Sequence, residues 1–340
     1  MVKVGVVGYG TIGQRLADGV ARQGDMELVG VADVALTLAV RALRERGMPY
    51  RFFCAAPDAA ASLEEQGLAV AGSLDDLINQ CDVLLDSTSA GIGAKNKELY
   101  RAAGKKAIFQ GGEADSVADV FFHGYANYER GLGQQFLKLT SCNTTGLIRA
   151  VDCLDRVAGV TRVAITIIRR VADPGDYHRG LTNALQIDHA PTHQAVDLMK
   201  IMPHVEATGI LVHTPVTHGH IMTVLVSTRQ KLGPDDALAA FAAHPRIRVV
   251  RIADGFVGNA SLFKYARDLG NARGDMYEIA IWEESMVRSG SDLMFAINIP
   301  QEAVTIPETV DAIRAATGMQ TDRLAGVGET NRHLDLRTGR

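Results

Sequence analysis

The chain has 340 residues, which is longer than most single domains and long enough for two. Hydrophobic residues make up 47% of it, and 35 basic against 39 acidic side chains leave a formal charge of −4. This balance predicts a globular protein with a sizeable core, and it gives no reason to expect nucleic acid as a partner. The opening residues MVKVGVVGYG lack the features of a signal peptide, and no apolar run has the length of a membrane span. We therefore expect a soluble, cytoplasmic protein.

Four cysteines are scattered along the chain, at Cys54, Cys81, Cys142 and Cys153. None of them has a close partner at the spacing of a disulfide or a metal site. The pattern predicts reduced thiols, as in cytosolic proteins, and no bound metal.

A glycine-rich turn stands near the start of the chain, between a predicted strand and a predicted helix. Residues 2–7 form a β-branched run, the turn Gly8-Tyr9-Gly10-Thr11-Ile12-Gly13 follows, and apolar residues then recur at helical spacing as far as Gly24. A second apolar strand, MELVGVAD, comes next. In this context G-x-G-x-x-G predicts dinucleotide binding, because glycine lets the main chain turn tightly and approach a pyrophosphate at the helix N-terminus. A tight turn without a ligand is the alternative.

Asp33 closes the second predicted strand. A carboxylate at this place accepts hydrogen bonds from the adenosine ribose and repels a 2′-phosphate, so the sequence favours NAD over NADP as the cofactor. The alternative is a solvated residue at the end of a strand, or a helix cap. Arg41 is close enough in sequence to soften the repulsion.

The alternation of strands and helices continues to about residue 140 and then changes. Helices predicted at SLDDLINQ and GAKNKELYRAAG alternate with strands at CDVLLDST and KKAIFQGG, which indicates an open, mostly parallel sheet. Ligands of such sheets bind beyond the carboxyl ends of the strands, so Asp86-Ser87-Thr88 and Gln110-Gly111-Gly112 should face the cofactor. Later β-rich runs predict an antiparallel or mixed sheet in a second domain, and TIPETVDAIRAATGM predicts a helix that Pro307 opens. The predicted cofactor-binding residues are Gly8, Gly10, Thr11, Ile12, Gly13, Asp33, Gln110 and Gly111.

The segment SCNTTG, residues 141–146, precedes a run with amphipathic helical spacing. The thiolate rather than the thiol is the nucleophile of a reactive cysteine, and a helix N-terminus stabilises it. Cys142 is therefore the candidate nucleophile. A structural thiol is the alternative, and it suits Cys153 better because that residue lies inside the same predicted helix.

Several segments, which follow one another in the same order along nearly the whole chain, resemble those of the archaeal-type (type II) glyceraldehyde-3-phosphate dehydrogenases. They are VGYGTIGQRLADGV, GAKNK, KAIFQGGE, ANYE, SCNTTGLIRA, RRVADP, GDMYEIAIWEES and QEAVTIPETVDAIRA. The resemblance implies an α/β protein with an N-terminal Rossmann domain over residues 1–140 and an α+β catalytic domain, with a mostly antiparallel or mixed sheet, over 141–303. It also implies that a C-terminal helix, about 304–340, packs back on the first domain, and that the protein is a homotetramer.

The resemblance further implies an NAD(P)-dependent oxidoreductase of glycolysis that oxidises D-glyceraldehyde 3-phosphate to 1,3-bisphosphoglycerate. The family's nucleophile falls on Cys142 with Asn143 beside it, and main-chain N–H groups near Asn143 suit the stabilisation of an alkoxide. Counting from Pro215 puts the family's base histidine on His220, and histidine suits that role near neutral pH. His218 lies two residues earlier, on the same face of a predicted strand, and stays open as the base. Metal binding by these two histidines lacks further ligands.

Substrate and phosphate are both anions, so the site needs cationic or polar donors. Arg169 and Arg170 match the family's paired arginines, and arginine grips a phosphate with two parallel hydrogen bonds. Neighbouring strand residues point to opposite faces, so only one arginine is expected to bind the substrate directly. The alternative for the other is a surface or interdomain ion pair. Further candidates for binding substrate or phosphate are Asn143, Thr144, Thr145 and His193. The two threonines alternatively cap the helix.

Departures from the family leave the cofactor and the substrate open. Ala32-Asp33 replaces a Thr-Lys pair that favours NADP, Thr192-His193-Gln194-Ala195 replaces Ser-His-His-Gly near an anion site, and Pro300 replaces a histidine before Gln301-Glu302. The same chemistry on another phosphorylated aldehyde or a semialdehyde, such as erythrose 4-phosphate, is therefore the alternative. A nucleotide-binding redox sensor, with Cys142 oxidised by peroxide, is a more distant one.

Overall fold

The computed structural model describes residues 1–110, 112–170 and 184–338. Gly111, one of the predicted cofactor-binding residues, and the Asp173-Pro174 segment lie outside the described residues. The chain divides into two compact units, one of Met1–Thr140 with Ile306–Leu334, and one of Ser141–Thr305 with the residues from Asp335 onward. Within the described part, no helix has both the length and the apolar character that crossing a bilayer requires.

The first unit is built on eight parallel strands. They are β1 (Val2–Val7), β2 (Met26–Asp33), β3 (Phe52–Cys54), β4 (Val70–Ser73), β5 (Val83–Asp86), β6 (Lys106–Phe109), β7 (Val120–Phe122) and β8 (Phe136–Leu139). Their order is β4-β3-β2-β1-β5-β6-β8-β7. Strands β2 to β4 therefore lie on one side of β1 and strands β5 to β8 on the other, so the strand order reverses between β1 and β5. Strands of such a sheet are covered on both faces, which explains why β1 and β5 are almost continuously apolar and buried.

Six helices connect these strands: α1 (Thr11–Ala21), α2 (Leu38–Glu45), α3 (Ala60–Glu65), α4 (Leu74–Gln80), α5 (Ile92–Ala102) and α6 (Gly124–Asn127). The predicted helices at SLDDLINQ and GAKNKELYRAAG correspond to α4 and α5. A capping box starts α4, because Ser73 Oγ accepts the N–H of Asp76 while the Asp76 carboxylate accepts the N–H of Ser73. The sequence pattern predicts no element between residues 38 and 72, where α2, β3, α3 and β4 lie.

The second unit contains a mixed sheet. Its strands are β9 (Val160–Arg170), β10 (Gln186–Ile187), β11 (Glu206–Thr214), β12 (His220–Thr228), β13 (Ile247–Val250), β14 (Ile279–Trp282), β15 (Val287–Ser289) and β16 (Asp292–Ile299). The order is β10-β11-β9-β12-β16-β14-β13, with β15 paired to β16. β9 runs parallel to β11 but antiparallel to β12, which is antiparallel to β16. A parallel sheet in one unit and a mixed sheet in the other confirm the predicted fold class.

Among the described residues of this unit, four α-helices accompany the sheet: α7 (Cys142–Ala158), α8 (His193–Ile201), α9 (Pro234–Ala242) and α10 (Asn259–Asp268). α7 packs against β9, β12 and β16 and is buried along most of its length. Gly146 permits the close approach, because an added Cβ would lie 3.0 Å from Ile299 and 3.1 Å from Ile279. The N-terminus of α7 is thereby held against one end of the mixed sheet.

The C-terminal segment forms two helices rather than the single helix predicted over about 304–340. They are α11 (Ile306–Thr317) and α12 (Arg323–His333). Gly318 follows α11 with a φ of 70°, a conformation that ends the helix. Both helices belong to the first unit, where the buried Arg314 donates to Asp25, Gln23 and Thr330.

Candidate active site

Cys142 and His220 lie next to each other in the second unit. Cys142 is the first residue of α7, His220 is the first residue of β12, and Sγ is 3.7 Å from Nε2. Ser141 caps α7, because its Oγ accepts the N–H of Thr144. The thiol therefore stands at the positive end of a helix, where a thiolate is favoured.

The other three cysteines have surroundings unsuited to a nucleophile. Burial raises the pKa of Cys81 and of Cys153 to about 12, so both thiols stay protonated. Cys54 is 3% exposed, and its Sγ donates to the main-chain oxygen of Ala56. Of the four cysteines, all of which the structure describes, Cys142 alone is partly exposed.

His220 is fully buried, and the neighbouring strand sets its protonation. Its Nδ1 accepts the main-chain N–H of Arg170 at 3.1 Å, so the neutral ring carries its proton on Nε2, the nitrogen that faces Cys142. Burial lowers the pKa of His220 well below its usual value, and the charges of Arg170 and Arg169 lower it further. The ring is therefore neutral at physiological pH, with an Nε2–H to donate.

This arrangement bears on the roles predicted for His220 and His218. A base needs a lone pair on the nitrogen that faces Cys142, and Nε2 has none while Nδ1 accepts the Arg170 N–H. β12 begins at His220, so His218 lies in the preceding loop, and the prediction that the two histidines share a strand face is wrong. The exposed ring of His218 packs edge-on against Phe263, with the centroids 5.0 Å apart.

The paired arginines at the end of β9 have different surroundings. Arg170 is buried, and its guanidinium donates to the main-chain oxygen of Thr217 at 2.7 Å and to Glu302 at 3.0 Å. Its Nε also donates to Gln301. Arg169 is partly exposed, and its guanidinium makes no hydrogen bond to any residue that the structure describes. Arg170 thus forms a buried ion pair within the second unit rather than the surface or interdomain pair considered from the sequence. Arg169 stays the candidate for the substrate.

Strand register puts Arg169 on the same face of the sheet as His220. Ile167 of β9 pairs with Met222 of β12, and both are fully buried on the face that packs against α7. Side chains alternate along a strand, so Arg169 shares the face of Ile167, and His220 shares that of Met222. A thiol, an imidazole and a guanidinium that makes no hydrogen bond to the described residues therefore converge at one end of the sheet.

The three residues after Cys142 are buried: Asn143, Thr144 and Thr145 are at most 2% exposed. The hydroxyls of Thr144 and Ser141 lie 2.9 Å apart, and the first intrahelical bond runs from the N–H of Thr145 to Ser141. The cap is therefore Ser141 rather than either threonine, as the preference of serine for that position indicates. The main-chain N–H of Asn143 precedes the first intrahelical bond, so it suits a developing oxyanion.

α8 begins where the chain departs from the family pattern. Thr192 caps it, His193 is exposed as its first residue, and Gln194 is 1% exposed. The amide nitrogen of Gln194 lies 2.8 Å from Nε2 of His193. An amide nitrogen only donates, so Nε2 of His193 accepts and the ring keeps its proton on Nδ1. The residue that replaces the family's second histidine therefore contacts the first.

In the first unit, the glycine-rich turn has the geometry of a pyrophosphate site. Gly8 has a φ of 86°, in the region that favours glycine. An added Cβ on Gly13 would lie 1.9 Å from the oxygen of Gly8, so α1 packs directly against the turn. A Cβ on Gly10 would meet nothing within 4 Å, which leaves room beside the first helical residues, Thr11 and Ile12. These are the distinct roles that glycines play in dinucleotide-binding turns.

Asp33 lies beside this turn at the end of β2. Its Oδ2 accepts the N–H of Tyr9 at 2.8 Å, and its Oδ1 accepts the N–H of Val34 at 2.7 Å. These bonds fix the carboxylate, while its oxygens keep lone pairs for further donors. Gln110, at the end of β6, donates to Thr309 of α11 at 3.2 Å. The side chain of Gln110 therefore already has a partner within the unit.

Two acidic residues with clear contacts were not predicted from the sequence. Glu113 is 7% exposed and accepts the N–H groups of Gly91 and Gly93, which start α5. Glu302 pairs with Arg170. Both follow the end of a strand in irregular segments, where no periodic pattern marks a side chain as buried or paired.

Two family models match the chain, one in each unit. The model described as the C-terminal domain of glyceraldehyde 3-phosphate dehydrogenase matches residues 141–285, and the one described as the N-terminus of dihydrodipicolinate reductase matches residues 2–111. Among solved structures, aspartate semialdehyde dehydrogenase II from Vibrio cholerae aligns with a TM-score of 0.63, covering 93% of this chain and 98% of that one. Its sequence identity is 15%, so this likeness shows the fold alone.

Curated relatives match over the full length. The glyceraldehyde-3-phosphate dehydrogenase of Thermococcus kodakarensis is 39% identical over 98% of this chain and 99% of its own. That of Hyperthermus butylicus is 37% identical over 100% and 98%, and that of Methanoregula boonei is 37% identical over 97% and 96%. The predicted resemblance is confirmed: the chain belongs to the archaeal-type glyceraldehyde-3-phosphate dehydrogenase family, whose members are oxidoreductases dependent on a nicotinamide dinucleotide.

Proposed function

We propose that this protein oxidises D-glyceraldehyde 3-phosphate to 1,3-bisphosphoglycerate, with NAD as the hydride acceptor and inorganic phosphate as the second substrate. The observation that carries the proposal is the 3.7 Å contact of Cys142 with His220 at the N-terminus of α7. The full-length relatives support it, because they bear the name of this activity.

The reaction begins at Sγ of Cys142. Its thiolate attacks the aldehyde carbon, a C–S bond forms, and the π electrons of the carbonyl move to oxygen, which gives a hemithioacetal alkoxide. We assign two donors to that oxygen, the Nε2–H of His220 and the main-chain N–H of Asn143. The thiol proton leaves to solvent before the attack, since Nε2 of His220 already carries a proton.

Oxidation then converts the hemithioacetal into a thioester on Cys142. The dinucleotide, when bound, supplies the hydride acceptor. His220 has no proton to remove at this stage, because attack by a thiolate yields the alkoxide directly. An oxygen of inorganic phosphate next attacks the thioester carbon, the C–S bond breaks, and the Cys142 thiolate leaves as the acyl phosphate forms.

Two anions need binding groups in this scheme. Arg169 is assigned to the substrate phosphate, because its guanidinium lies on the face of His220 and makes no hydrogen bond to the residues that the structure describes. Arg170 is paired with Glu302, so neither anion is assigned to it. His193, with its proton on Nδ1, and the first turn of α7 around Thr144 and Thr145 remain the proposed contacts of inorganic phosphate.

The first unit is assigned to the cofactor. The open space at Gly10 and the tight packing of Gly8 and Gly13 fit a dinucleotide whose pyrophosphate lies at the N-terminus of α1. Asp33 is the reason to propose NAD rather than NADP: its fixed carboxylate accepts ribose hydroxyls and repels a 2′-phosphate.

The proposal is tested by following NADH absorbance with purified protein, NAD, inorganic phosphate and D-glyceraldehyde 3-phosphate. We expect turnover that depends on phosphate and that is lower with NADP. Omission of phosphate should stop the reaction after one equivalent of NADH per subunit, when the thioester accumulates. Steady turnover without phosphate, or none with the triose, would refute the proposal.

Gln194 favours a second candidate, the same chemistry on another phosphorylated aldehyde. It stands in place of a histidine near the family's anion site, is buried, and contacts His193. Erythrose 4-phosphate is the probe, and kcat/KM for it and for the triose decides between the two. If kcat/KM is higher for erythrose 4-phosphate, Gln194→His should shift the ratio of the two kcat/KM values toward the triose.

We also propose a homotetramer in the cytoplasm. The face of the mixed sheet opposite α7 exposes apolar side chains, with Ile168, Ile210 and Met294 at 38%, 44% and 42%. A second copy would remove this surface from water, which favours self-association. Ile210→Asp should lower the mass found by light scattering. The cytoplasm is favoured because the nucleophilic thiol has to stay reduced.

A further inference from the structure

Arg170 connects three segments around His220. Its main-chain N–H donates to Nδ1 of the ring at 3.1 Å, and its guanidinium donates to the main-chain oxygen of Thr217 at 2.7 Å. The same guanidinium forms an ion pair with Glu302 at 3.0 Å. Thr217 belongs to the loop before β12, and Glu302 to the turn after β16. The side chains of Arg170 and Glu302 are 3% and 18% exposed, so little solvent screens the pair.

We propose that the Arg170–Glu302 ion pair is a positioning device that keeps the proton of His220 on Nε2 and balances the charge beside Cys142. The inference rests on the proposed function for the roles of Cys142 and His220 alone. It adds Glu302, to which no role in the reaction was assigned above.

The positioning follows from the direction of the Arg170 N–H. An imidazole that accepts at Nδ1 must carry its proton on Nε2, and this holds while the N–H stays at 3.1 Å. Because the guanidinium of Arg170 is bound to Thr217 and Glu302, the end of β9 is connected to the loop before β12 and to the turn after β16. A shift of the strand end would break these bonds together.

The charge balance follows from the groups that face the imidazole. Within the described part of the chain these are Arg169 and Arg170 on β9 and Cys142 on α7, while His218 of the preceding loop is exposed to solvent. Both guanidinium charges lower the pKa of the imidazole. The carboxylate of Glu302 lies 3.0 Å from the guanidinium of Arg170, and we infer that its opposite charge offsets part of this effect. Without Glu302 an extra positive charge remains beside the thiol; without Arg170 an extra negative charge remains.

The test is the pH dependence of Cys142 alkylation by iodoacetamide, followed by mass spectrometry on the full-length protein without substrate. Glu302→Gln should stabilise the thiolate and move the alkylation midpoint to lower pH, by roughly half a pH unit. Arg170→Met should move it to higher pH by a similar amount, and the double variant should return it close to the wild-type value. Glu206→Gln, on an exposed residue at the other end of β11, is the matched control and should leave it unchanged.

Shifts of opposite sign in the two single variants support the proposal. Shifts of the same sign, or slower alkylation at an unmoved midpoint, indicate a merely structural pair and overturn it. If Arg170→Met does not fold, the sign of the Glu302→Gln shift decides. The assay needs no turnover, so the inference stands or falls separately from the proposed function: a protein inactive on the triose can still show the expected shifts.

Discussion

Two helix N-termini supply the positive potential that this protein needs, one in each unit, and they are built differently. At α1 the chain enters the helix through Gly8, Gly10 and Gly13, and the absence of a side chain at Gly10 leaves the main chain open. At α7 the chain enters through Ser141, whose hydroxyl closes the first turn, and the residues behind Cys142 are buried. The first terminus suits an anion from outside, whereas the second is proposed to stabilise an anion of the protein itself, the Cys142 thiolate. At α1, glycines leave the main-chain N–H groups open to a ligand. At α7, a serine cap followed by a cysteine places a candidate nucleophile at the positive end of the helix.

The largest expected effect comes from removing the anion at α7. Cys142→Ser replaces the thiolate by a hydroxyl that stays neutral near physiological pH, so aldehyde oxidation should fall by at least about a thousandfold. Calorimetry should find NAD binding unchanged. Cys153→Ser, at a buried thiol further along the same helix, is the control and should keep most of the activity. Equal losses in both variants would remove the distinction between the two thiols.

A smaller loss is expected from the donor that faces Cys142. His220→Ala removes the Nε2–H assigned to the alkoxide and should lower kcat/KM by about a hundredfold. His218→Ala, at the exposed ring in the loop, should have little effect in the same assay. A larger loss of kcat/KM in His218→Ala than in His220→Ala would exchange the roles assigned to the two histidines.

The glycines of the α1 turn separate packing from ligand contact. Gly13→Ala places a Cβ 1.9 Å from the oxygen of Gly8, so it should lower the Tm of the free protein. It should also lower the affinity for NAD, by about tenfold or more. Gly10→Ala meets nothing within 4 Å and should leave the Tm of the free protein unchanged, while NAD affinity still falls. If Gly10→Ala binds NAD normally, the pyrophosphate does not lie there.

We assign the choice between NAD and NADP to one carboxylate, that of Asp33. Asp33→Ala removes the repulsion of a 2′-phosphate and the acceptor of the ribose hydroxyls, so the NAD/NADP ratio of kcat/KM should fall by about tenfold. Asp18→Ala, in the middle of α1, is the control. An unchanged ratio in Asp33→Ala would assign the preference to other residues.

The smallest effect is a pH dependence of stability. The pKa of His220 is lower in the folded protein than in the unfolded chain, so the unfolded chain binds the proton first as the pH falls. The free energy of unfolding should therefore decrease below about pH 6.5, by at most about 1.4 kcal/mol per pH unit from this residue. Urea unfolding at several pH values measures it. His220→Gln should remove this part of the slope, and His218→Ala should keep it.

The cofactor turn could be predicted because its signals are local. Six consecutive residues, Gly8 to Gly13, carry both the turn and the helix start, and the strand before them is apolar apart from Lys3. The same holds for Cys142, since serine at the cap and helical spacing afterwards are readable in sequence. Local patterns, however, could not separate α11 from α12 or show that β12 begins only at His220.

The catalytic end of the mixed sheet depends on contacts between distant residues. The tautomer of His220 follows from a main-chain N–H of Arg170, and every residue has such a group, so no residue type announces it. The different surroundings of Arg169 and Arg170 follow from Glu302, more than a hundred residues further along the chain. The alternation rule predicted that the two arginines differ, but only the structure shows which one is paired.

The most direct test of the account is to trap the acyl enzyme. The protein is mixed with D-glyceraldehyde 3-phosphate and NAD without inorganic phosphate, quenched in acid, digested and analysed by mass spectrometry. We predict one phosphoglyceroyl group per chain, on the peptide that contains Cys142, with NADH formed in equal amount. NADH formation with the acyl group on another residue, or with none on the protein, would contradict the assignment of Cys142 as the nucleophile.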